Sequence, residues 1–486
     1  MTTPGLVITD RSEVAIAPTV GDTVIAIVGT APEATDVTVN TPVQVESQAD
    51  HSTRWGSLGR IPNALAAIKS NVSDTVVVVR VPDAGSETQY NAGLDALLAV
   101  EASLGIVPTI IVPLDHTYAI SVSGTSAVFG SSDDPNFEGV AATGSEPSVV
   151  VSGYYWNSTD DEWQIANEAG DAWIGIPDGS TIDDYLANGF AWLSDTEYAT
   201  SADATTAATE AGFVPSDKYV YYDGTVMQVL TLVVTESDAA ASVVAKAGSV
   251  AASFDGVAMV DVFPDAGSDP DAFVASAGNW ADANRQGDVI GLTPRVRVGN
   301  VYEPLAPYVA GALARHDAEQ SLGVAANPQG LDVRGISELE RNLSWTLAST
   351  SLQVDRLVQK SIVTLVRHAG YHVWGATMLV DPTSMDPERF INVRRQSHDI
   401  ARHIEETSFS YFSGMADSAT IERVMTEVTG YLNHLIALEK IRSGSCTAPP
   451  ELNTEAAKAS GLVYFRTEYN PRFPLVGVRF DKVIRV

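Results

Sequence analysis

Residues 22–32 read DTVIAIVGTAP, a short apolar run that starts after Gly21 and ends before Pro32. An apolar run of this length without polar alternation predicts a strand that is buried on both faces of a sheet. Its Gly29 is not followed by the further glycines of a phosphate-binding loop, and no Gly-Lys-Ser/Thr triplet occurs in the chain. The stretch therefore predicts the first strand of a sheet core and no nucleotide site.

The segments that follow this strand alternate between helical and strand patterns. RIPNALAAIKSN (60–71) predicts a helix with Pro62 in its first turn, and DTVVVVRV (74–81) predicts a second buried strand. NAGLDALLAVEASLGIVPTIIVP (91–113) predicts a helix, a break at Gly105 and a third strand. Strand–helix–strand alternation of this kind is typical of an α/β unit.

The composition changes between residues 116 and 224. This region is rich in Ser, Thr, Gly, Asp and aromatic residues, and it has one basic residue, Lys218, against 18 acidic residues. Its short alternating runs and Asp/Asn-rich turns predict a β-rich domain inserted into the α/β core. We expect the core to resume with a strand at 226–235, a helix at 237–254 and a strand at 256–263.

Two amphipathic helices are predicted in the C-terminal part. The first is MDPERFINVRRQSHDIARHIEET (385–407), with Asp386 as its N-cap, and the second is TIERVMTEVTGYLNHLIALEKI (420–441). Before them, residues 361–380 predict two strands around Gly370. After them, GLVYFRTEYN (461–470) is predicted to pair with LVGVRFDKVIRV (475–486), an alternating strand with no later strand to cover its edge.

The charge of the chain is strongly uneven. The 486 residues are 45% hydrophobic, which indicates a globular protein, and they carry a formal net charge of −32. Residues 331–486 contain 18 basic and 18 acidic residues, so the net negative charge lies within the first 330 residues. This charge argues against nucleic acid and anionic membrane surfaces as partners. It is consistent with an acidic exterior beside a neutral contact region, with a saline host, or with both.

Targeting and redox signals are sparse. No apolar run reaches the roughly 18–20 residues that a membrane helix needs, so we expect no membrane insertion. The N-terminus MTTPGLVITD lacks the features of a signal peptide, and we expect the protein to be made in cytosol. The single cysteine, Cys446, excludes disulfides within the chain and is expected to be a structural thiol.

No group of residues in the sequence predicts catalysis, metal binding or cofactor binding. The chain has no His-Glu-x-x-His, no Gly-x-Ser-x-Gly and no calcium loop of the Asp-x-Asp-x-Asp-Gly type. We therefore expect no enzymatic activity. The histidines and paired aspartates that could suggest a site are interpreted as structural or surface residues. They are His316 with Asp317, His368 with His372, His398, His403, and the pairs Asp133–Asp134, Asp160–Asp161 and Asp183–Asp184.

Apart from about 116–224, the chain resembles the contractile tail sheath proteins, which form the outer sheath of contractile bacteriophage tails, pyocins and related contractile injection systems. The resemblance lies in an ordered set of stretches rather than in one motif. These are PGLVITDRSEVAIAP (4–18), VIAIVGTAP (24–32), RWGSL (54–58), TVVVVRV (75–81), YEPLAPYVAGALARHDAEQSLGVAANPQ (302–329), GYHVWGATML (370–379), FINVRRQSHDIARHIEE (390–406) and GLVYFRTEYNPRFPLVGVRF (461–480). The segment WGATM lacks the Arg that often follows Trp-Gly-Ala in the family.

The resemblance and the α/β pattern together predict a multidomain α/β (α+β) fold with a mixed-sheet core. The expected parts are an N-terminal exchange arm (1–20), core parts (21–115 and 225–330), an acidic, outward-facing β-rich insertion (116–224), a C-terminal inner sheath domain (331–460) and a C-terminal hairpin or exchange arm (461–486).

The resemblance also implies that the two chain ends exchange strands with neighbouring subunits, as β-augmentation between chains. An intramolecular hairpin of an ordinary domain is the alternative for the C-terminal strand. The residues expected to take part in the exchange are Leu6, Val7, Ile8, Val14, Ile16, Val478, Phe480, Val483, Ile484 and Val486.

The function implied by the resemblance is mechanical. The chain would be the subunit of a sheath that polymerises around an inner tube and contracts to drive that tube through the target envelope. The implied partners are the chain itself, as a helical homopolymer of stacked hexameric rings, and the inner tail tube, baseplate and tail terminator proteins. The implied location is a virion tail or a released contractile particle.

A contact with the tube is expected from basic residues on the two C-terminal helices, because this part of the chain is charge-balanced. Ordinary solvated helix faces are the alternative interpretation of the same residues, which are Arg394, Arg395, Arg402, Lys440 and Arg442. A different class of function, a secreted acidic surface-layer or adhesin protein, is also compatible with the acidity and the β-rich insertion.

Overall fold

The computed structural model describes residues 23–46, 51–72, 75–82, 86–117, 240–262, 269–299, 301–411 and 417–477. Between residues 119 and 237 it describes residue 204 and the backbone of the strands named below. The chain divides into two compact units, one formed by Met1–Ala119 and Asp238–Val486 and the other by Ile120–Ser237.

The strands are numbered here in chain order. Those before the second unit are β1 (Ile25–Gly29), β2 (Pro42–Glu46), β3 (Thr75–Arg80) and β4 (Ile110–Pro113). Those assigned to the sheets of the second unit are β5 (Ala119–Val128), β6 (Phe137–Ala141), β7 (Tyr154–Asn157), β8 (Glu162–Ala166), β9 (Trp173–Pro177), β10 (Phe190–Glu197), β11 (Lys218–Tyr222) and β12 (Met227–Ser237). Those after it are β13 (Val257–Asp261), β14 (Val289–Leu292), β15 (Val296–Val298), β16 (Val301–Glu303), β17 (Glu338–Leu339), β18 (Ile362–Arg367), β19 (Tyr371–Trp374), β20 (Ile441–Thr447) and β21 (Arg466–Pro471).

The α-helices of the described residues are numbered in the same way. They are α1 (Ser52–Trp55), α2 (Ile61–Lys69), α3 (Glu87–Leu97), α4 (Val100–Leu104), α5 (Ser242–Ala252), α6 (Pro270–Ala283), α7 (Ala306–Glu319), α8 (Gln353–Gln359), α9 (Ile391–Phe409), α10 (Ser418–Ala437) and α11 (Glu455–Ala459). Two 3₁₀ turns lie at Gly323–Ala325 and Pro387–Arg389.

An eight-stranded mixed sheet forms the core of the first unit. Its strand order is β19-β18-β14-β13-β4-β1-β3-β2, with six central parallel strands and an antiparallel strand at each edge. The alternation along β1 sends Ile25 and Ile27 to one hydrophobic core and Ala26 and Val28 to the other. The predicted α/β mixed-sheet core is therefore confirmed, and its first strand is buried on both faces as expected.

Helices cover the two faces of this sheet. Buried residues of α2 and α7 belong to one core, and buried residues of α3, α5 and α6 belong to the other. The predicted helix at 60–71 is confirmed as α2, with Pro62 in its first turn. The predicted break at Gly105 is also confirmed, because this glycine ends α4 in the left-handed region at φ 66°.

The second unit contains two four-stranded sheets, in the orders β10-β11-β12-β5 and β6-β7-β8-β9. The strand predicted at 226–235 exists as β12, but its predicted place in the core is wrong. Its partner is β11, over the register Lys218↔Thr231 to Tyr222↔Met227, so it belongs to a sheet of the second unit. Apolar alternation identifies a strand but not the sheet to which the strand belongs.

The C-terminal part carries a third, smaller hydrophobic core. It lies between α9, α10 and the antiparallel pair β20–β21, and its buried members are Ile400, Val424, Val428, Leu432, Leu435, Ile441 and Cys446. Asp417 caps α10 by accepting a hydrogen bond from the N–H of Thr420 at 2.8 Å. The predicted amphipathic helix α10 therefore packs its apolar residues Val424, Val428, Leu432 and Leu435 into this small core.

The start of α9 differs from the prediction. Asp386 does cap a turn, but this turn is the 3₁₀ segment Pro387–Arg389, and α9 itself begins at Ile391. The backbone of Phe390 is extended, at φ −88° and ψ 133°, and forms an isolated bridge with Thr377. This bridge interrupts the helix that the sequence pattern suggests from residue 387.

Candidate functional site

The residues predicted to exchange between subunits lie outside the described residues. They are Leu6, Val7, Ile8, Val14, Ile16, Val478, Phe480, Val483, Ile484 and Val486. What the structure does describe is where the chain enters the core, at Thr23, and where it leaves β21, along residues 472–477. These two places and the nearby sheet form the candidate assembly site.

The pair β20–β21 is the sheet closest in sequence to the predicted C-terminal arm. The two strands pair from Ser443↔Asn470 to Thr447↔Arg466, and Tyr469 packs against the small core beneath them. Within the described part of the chain neither strand pairs with a third strand. Each therefore has an outer edge of N–H and C=O groups that an incoming strand can extend.

The predicted hairpin between 461–470 and 475–486 is not what the described residues form. Strand β21 pairs with β20, and residues 472–477 belong to no strand; residues 478–486 lie outside the described residues. Pro474 has no N–H to donate to a ladder. Side-chain amides elsewhere in the chain also occupy the carbonyl groups of Arg472, Leu475 and Val476.

The start of the described chain is tied to a buried ion pair. Arg395 on α9 donates two hydrogen bonds to the carboxylate of Asp317 on α7, at 3.0 and 2.5 Å. The hydroxyl of Thr23 donates to the same carboxylate at 2.6 Å. The side chains of Arg395 and Asp317 are 5% and 1% exposed. The prediction that Arg395 lies on an exposed polar face is therefore wrong, because this side chain joins α7 and α9 inside the molecule.

Lys440, also predicted on an exposed face, is 1% exposed. Its Nζ has no hydrogen-bond partner among the described residues. Burial lowers the pKa of this amine, although the charges of Asp399 and Asp317 oppose the effect. The expected exposure of Lys440 is wrong because the turn that joins α10 to β20 folds this residue into the interior, next to Leu435 and Ile441.

The other three basic residues are more accessible. Arg394 donates to Asp288 at 2.7 Å and also pairs with Glu388, and these carboxylates hold its pKa above its usual value despite partial burial. Arg402 pairs with Asp399 at 3.3 Å. Arg442 on β20 is exposed and forms no ion pair among the described residues. Of the five predicted residues, Arg442 is thus the most available to a partner.

The histidines and the cysteine form packing contacts. The ring of His403 stacks on Tyr431 with centroids 3.5 Å apart, and burial lowers the pKa of this histidine. Both ring nitrogens of His372 lie near carbonyl oxygens, those of Gly330 and His368. Cys446 is a buried free thiol whose pKa is raised by burial.

The described part of the chain contains neither a cluster of metal ligands nor a membrane-spanning helix. Among these residues, no group of three His, Cys, Asp or Glu side chains could hold a metal ion. None of the helices described is long and apolar enough to cross a membrane. The three pairs of aspartates, at 133–134, 160–161 and 183–184, lie outside the described residues.

Sequence reasoning missed several residues of this site. Thr23, Asn327, Gln329 and Asn392 carry its polar contacts, yet each is a common residue in a loop, a chain end or a helix turn. In the sequence, Asp317 stands out only as the residue next to His316. A buried arginine in an amphipathic helix is a weak signal for a buried partner, but the partner lies 78 residues away.

Part of the chain is similar in sequence to tail sheath proteins. No protein family model matches the chain. A putative prophage major tail sheath protein of Pseudomonas aeruginosa is 23% identical over 178 residues, which are 35% of this chain and 45% of the relative. The major tail sheath protein of Serratia phage KSP20 is 22% identical over 172 residues, or 35% of this chain and 42% of the relative. The match thus spans less than half the length of these relatives.

Solved structures match nearly the whole chain at low identity. A chain in the anti-feeding prophage baseplate aligns with 96% of this chain and 94% of its own length, with a TM-score of 0.55 and 14% identity. A chain of the anti-feeding prophage helical sheath in its contracted state covers 96% and 93%, with a TM-score of 0.54 and 14% identity. The chain is thus similar in sequence to tail sheath proteins over about a third of its length, and it shares its fold with these solved chains over nearly all of it.

Proposed function

We propose that the chain is the structural subunit of a contractile sheath. It polymerises around an inner tube in an extended state and then rearranges into a shorter, wider lattice that drives the tube through a target envelope. The observation that carries this proposal is the pair β20–β21, whose outer edges have no partner among the described residues and which lies next to the root of the C-terminal arm. The named relatives and the contracted sheath structure of the same fold support it.

The link between subunits in this proposal is strand addition to β20–β21. In an extended strand of residues 478–486, Val478, Phe480, Ile484 and Val486 share one face with Lys482, while Arg479, Asp481 and Arg485 share the other with Val483. Such a strand forms about five ladder hydrogen bonds, and at about 0.5–1.5 kcal/mol net each they stabilise one junction by about 3–7 kcal/mol. Junctions of this strength, repeated through a lattice, keep neighbours connected while their other contacts change.

The role proposed is mechanical and not catalytic. The contacts of the candidate site are ion pairs, amide–carbonyl hydrogen bonds and packed aromatic rings, none of which provides an activated nucleophile. The partners we propose are other copies of the chain, stacked as hexameric rings, with an inner tube, a baseplate and a terminator protein at the tail ends. A baseplate and a helical sheath are the assemblies in which the matching structures were solved.

For the tube contact we retain Arg442 as the first candidate, with Arg394 and Arg402 as weaker ones. Exposed ion pairs of this kind stabilise by less than about 1 kcal/mol each. The surface-layer or adhesin alternative receives no support from the matches described above.

Electron microscopy of the purified chain tests the proposal. We expect rods or hollow tubes from the full chain, and folded, dispersed particles after deletion of residues 478–486. Sheets or single compact particles from the full chain under all assembly conditions would contradict the sheath function. Intact rods from the deletion variant would contradict strand exchange while leaving the sheath function standing.

A matched pair of variants separates strand addition from a general effect of the chain end. Phe480→Lys with Ile484→Lys changes the apolar face of the predicted strand, and we expect it to abolish rods. Arg479→Ala with Asp481→Ala changes the opposite face, and we expect rods to persist. Loss of rods in both variants to the same extent would argue against a one-sided apolar contact.

A further inference from the structure

Residues 472–476 follow β21, and three of their carbonyl groups accept hydrogen bonds from side chains elsewhere in the chain. Asn392 Nδ2 donates to the carbonyl of Arg472 at 3.1 Å, Asn327 Nδ2 to that of Leu475 at 3.2 Å, and Gln329 Nε2 to that of Val476 at 3.4 Å. Three donors from two separate parts of the chain thus meet one stretch of five residues.

Side-chain contacts strengthen the start of this segment. The ring of Phe473 meets that of Phe390 edge-on, with centroids 6.2 Å apart, and Arg472 lies 3.6 Å from Glu439. Asn392 is 3% exposed and also donates to the carbonyl of Ala325 at 3.2 Å. One side chain in the first turn of α9 therefore connects the loop that carries Asn327 and Gln329 to the departing chain end.

The other side of the segment has no comparable partners. No hydrogen bond from the N–H of Phe473, Leu475 or Val476 is found among the described residues. Phe473, Leu475 and Val476 are 50%, 70% and 48% exposed. This stretch combines bound carbonyl groups with N–H groups that have no partner among the described residues and with exposed apolar side chains. Such a combination is typical of a surface that a second chain covers.

We propose that Asn327, Gln329 and Asn392 form an amide clamp that sets the direction in which the C-terminal arm leaves the subunit. A second copy of this chain covers the apolar strip formed by Phe473, Leu475 and Val476. The clamp rests on the proposed sheath function and deepens it, because it names the residues that position the arm. Fixing the exit direction before a neighbour binds lowers the ordering cost of strand addition.

A second copy is the occupant that the charge distribution favours. The strip lies within residues 331–486, whose 18 basic and 18 acidic residues balance, whereas the first 330 residues carry the net charge of −32. Two copies that meet at the strip avoid the like-charge repulsion that contact through their acidic parts would produce. A strongly basic partner would be drawn to the acidic parts instead.

The clamp is tested with Asn327→Asp combined with Gln329→Glu in the full chain. The aspartate keeps the Oδ1 that accepts the N–H of Gln329 at 3.1 Å, so the local turn survives, while both amide donors become acceptors that repel carbonyl oxygens. The matched control is Gln359→Glu, because Gln359 Nε2 donates to the carbonyl of Thr350 at 3.2 Å on an exposed loop elsewhere.

We expect the clamp variant to keep the thermal unfolding midpoint of the wild type, within about 2 °C, and to need about tenfold more protein to form rods. Limited trypsin cleavage after Arg472 in dispersed protein should be several-fold faster than in the wild type and in the control. Unchanged rod formation together with unchanged cleavage would overturn the clamp. If the wild type forms no rods, the sheath function fails, and the cleavage rates still decide the clamp.

A photo-crosslinking residue in place of Leu475 tests the occupant. We expect covalent dimers of this chain from assembled rods, at a yield several-fold above that from dispersed protein and above that from a probe at Leu347, which is 72% exposed. Products that contain only intramolecular links, or a different protein in place of a second copy, would overturn the assignment of the strip.

Discussion

The eight-stranded sheet and the pair β20–β21 differ in how their edge strands are arranged and how much of each sheet is covered. In the large sheet, each edge of the parallel array ends in an antiparallel strand, β2 or β19, and two hydrophobic cores cover its faces. Among the described residues, both strands of the pair β20–β21 are edge strands, and one small core lies beneath them. The first arrangement stabilises a single chain, whereas the second leaves backbone groups available to another chain.

Helix α9 joins these two regions. Its Ile391 belongs to a core of the large sheet, and its Ile400 belongs to the small core under β20–β21. Arg395 ties the helix to Thr23 through Asp317, and Asn392 ties it to the departing chain end. One helix therefore contacts both hydrophobic regions, the residue at which the described chain begins and the segment that follows β21.

Arg395→Ala is the change expected to weaken this connection most. It leaves the carboxylate of Asp317 buried without its partner, and we expect the free energy of unfolding to fall by about 3–5 kcal/mol. Urea denaturation measures the loss, and Arg442→Ala on the exposed face of β20 is the control, expected to change stability by less than about 0.5 kcal/mol.

The double variant Arg395→Met with Asp317→Leu should recover most of this loss, because apolar side chains of similar volume can replace a buried ion pair. If Arg395→Ala proves as mild as Arg442→Ala, the ion pair does not hold α7 and α9 together.

Leu432→Ala tests whether the small core is a separate cooperative region. Leu432 is fully buried on α10, and its truncation should cost about 2–5 kcal/mol. Hydrogen exchange should show faster exchange in α10, β20 and β21, with little change in β1 and β3. Leu313→Ala in the larger core is the matched truncation, and an identical pattern of exchange from both variants would show one cooperative unit.

Lys440→Met is expected to stabilise the small core by about 1–3 kcal/mol, because it removes a buried donor that has no partner in the described part of the chain. Burial lowers the pKa of Lys440 below the reference value of 10.5, so the folded state binds fewer protons than the unfolded state between the lowered pKa and 10.5. Stability of the wild type should therefore rise with pH through that range relative to Lys440→Met. Urea midpoints at pH 8 and pH 10 measure the difference, and parallel pH profiles of the two proteins would contradict it.

The smallest expected effect is at the stacked pair His403–Tyr431. Burial lowers the pKa of His403 below 6.5. The charge of His434 lowers it further, whereas the charges of Glu406 and Asp399 act in the opposite direction. The folded state thus binds fewer protons, and this histidine makes stability fall as pH drops below 6.5. His403→Phe keeps an aromatic ring and should reduce that dependence between pH 7.5 and 5.5, as measured by thermal unfolding. An unchanged slope would mean that other groups cause the dependence.

The sequence predicts the local elements well and their long-range partners less well. The strands β1, β3 and β4, the helix α2 and the end of α4 at Gly105 follow from apolar runs, Pro and Gly. The errors concern distant contacts: the sheet to which β12 belongs, and the burial of Arg395 and Lys440. The extended Phe390 likewise depends on Thr377, which no local pattern indicates.

What the sequence by itself determined is the alternation of buried strands and amphipathic helices, the location of the negative charge in the first 330 residues, and the resemblance to sheath proteins. The first two properties follow from composition and from periods of two to four residues, and the resemblance follows from an ordered set of stretches, so all three can be detected without coordinates. What only the tertiary structure decided is which polar side chains meet. Arg395 reaches Asp317 across 78 residues, and Asn327 reaches the carbonyl of Leu475 across 148. Such pairs depend on how helices and loops pack, because the packing decides which neighbour each side chain of a helix meets.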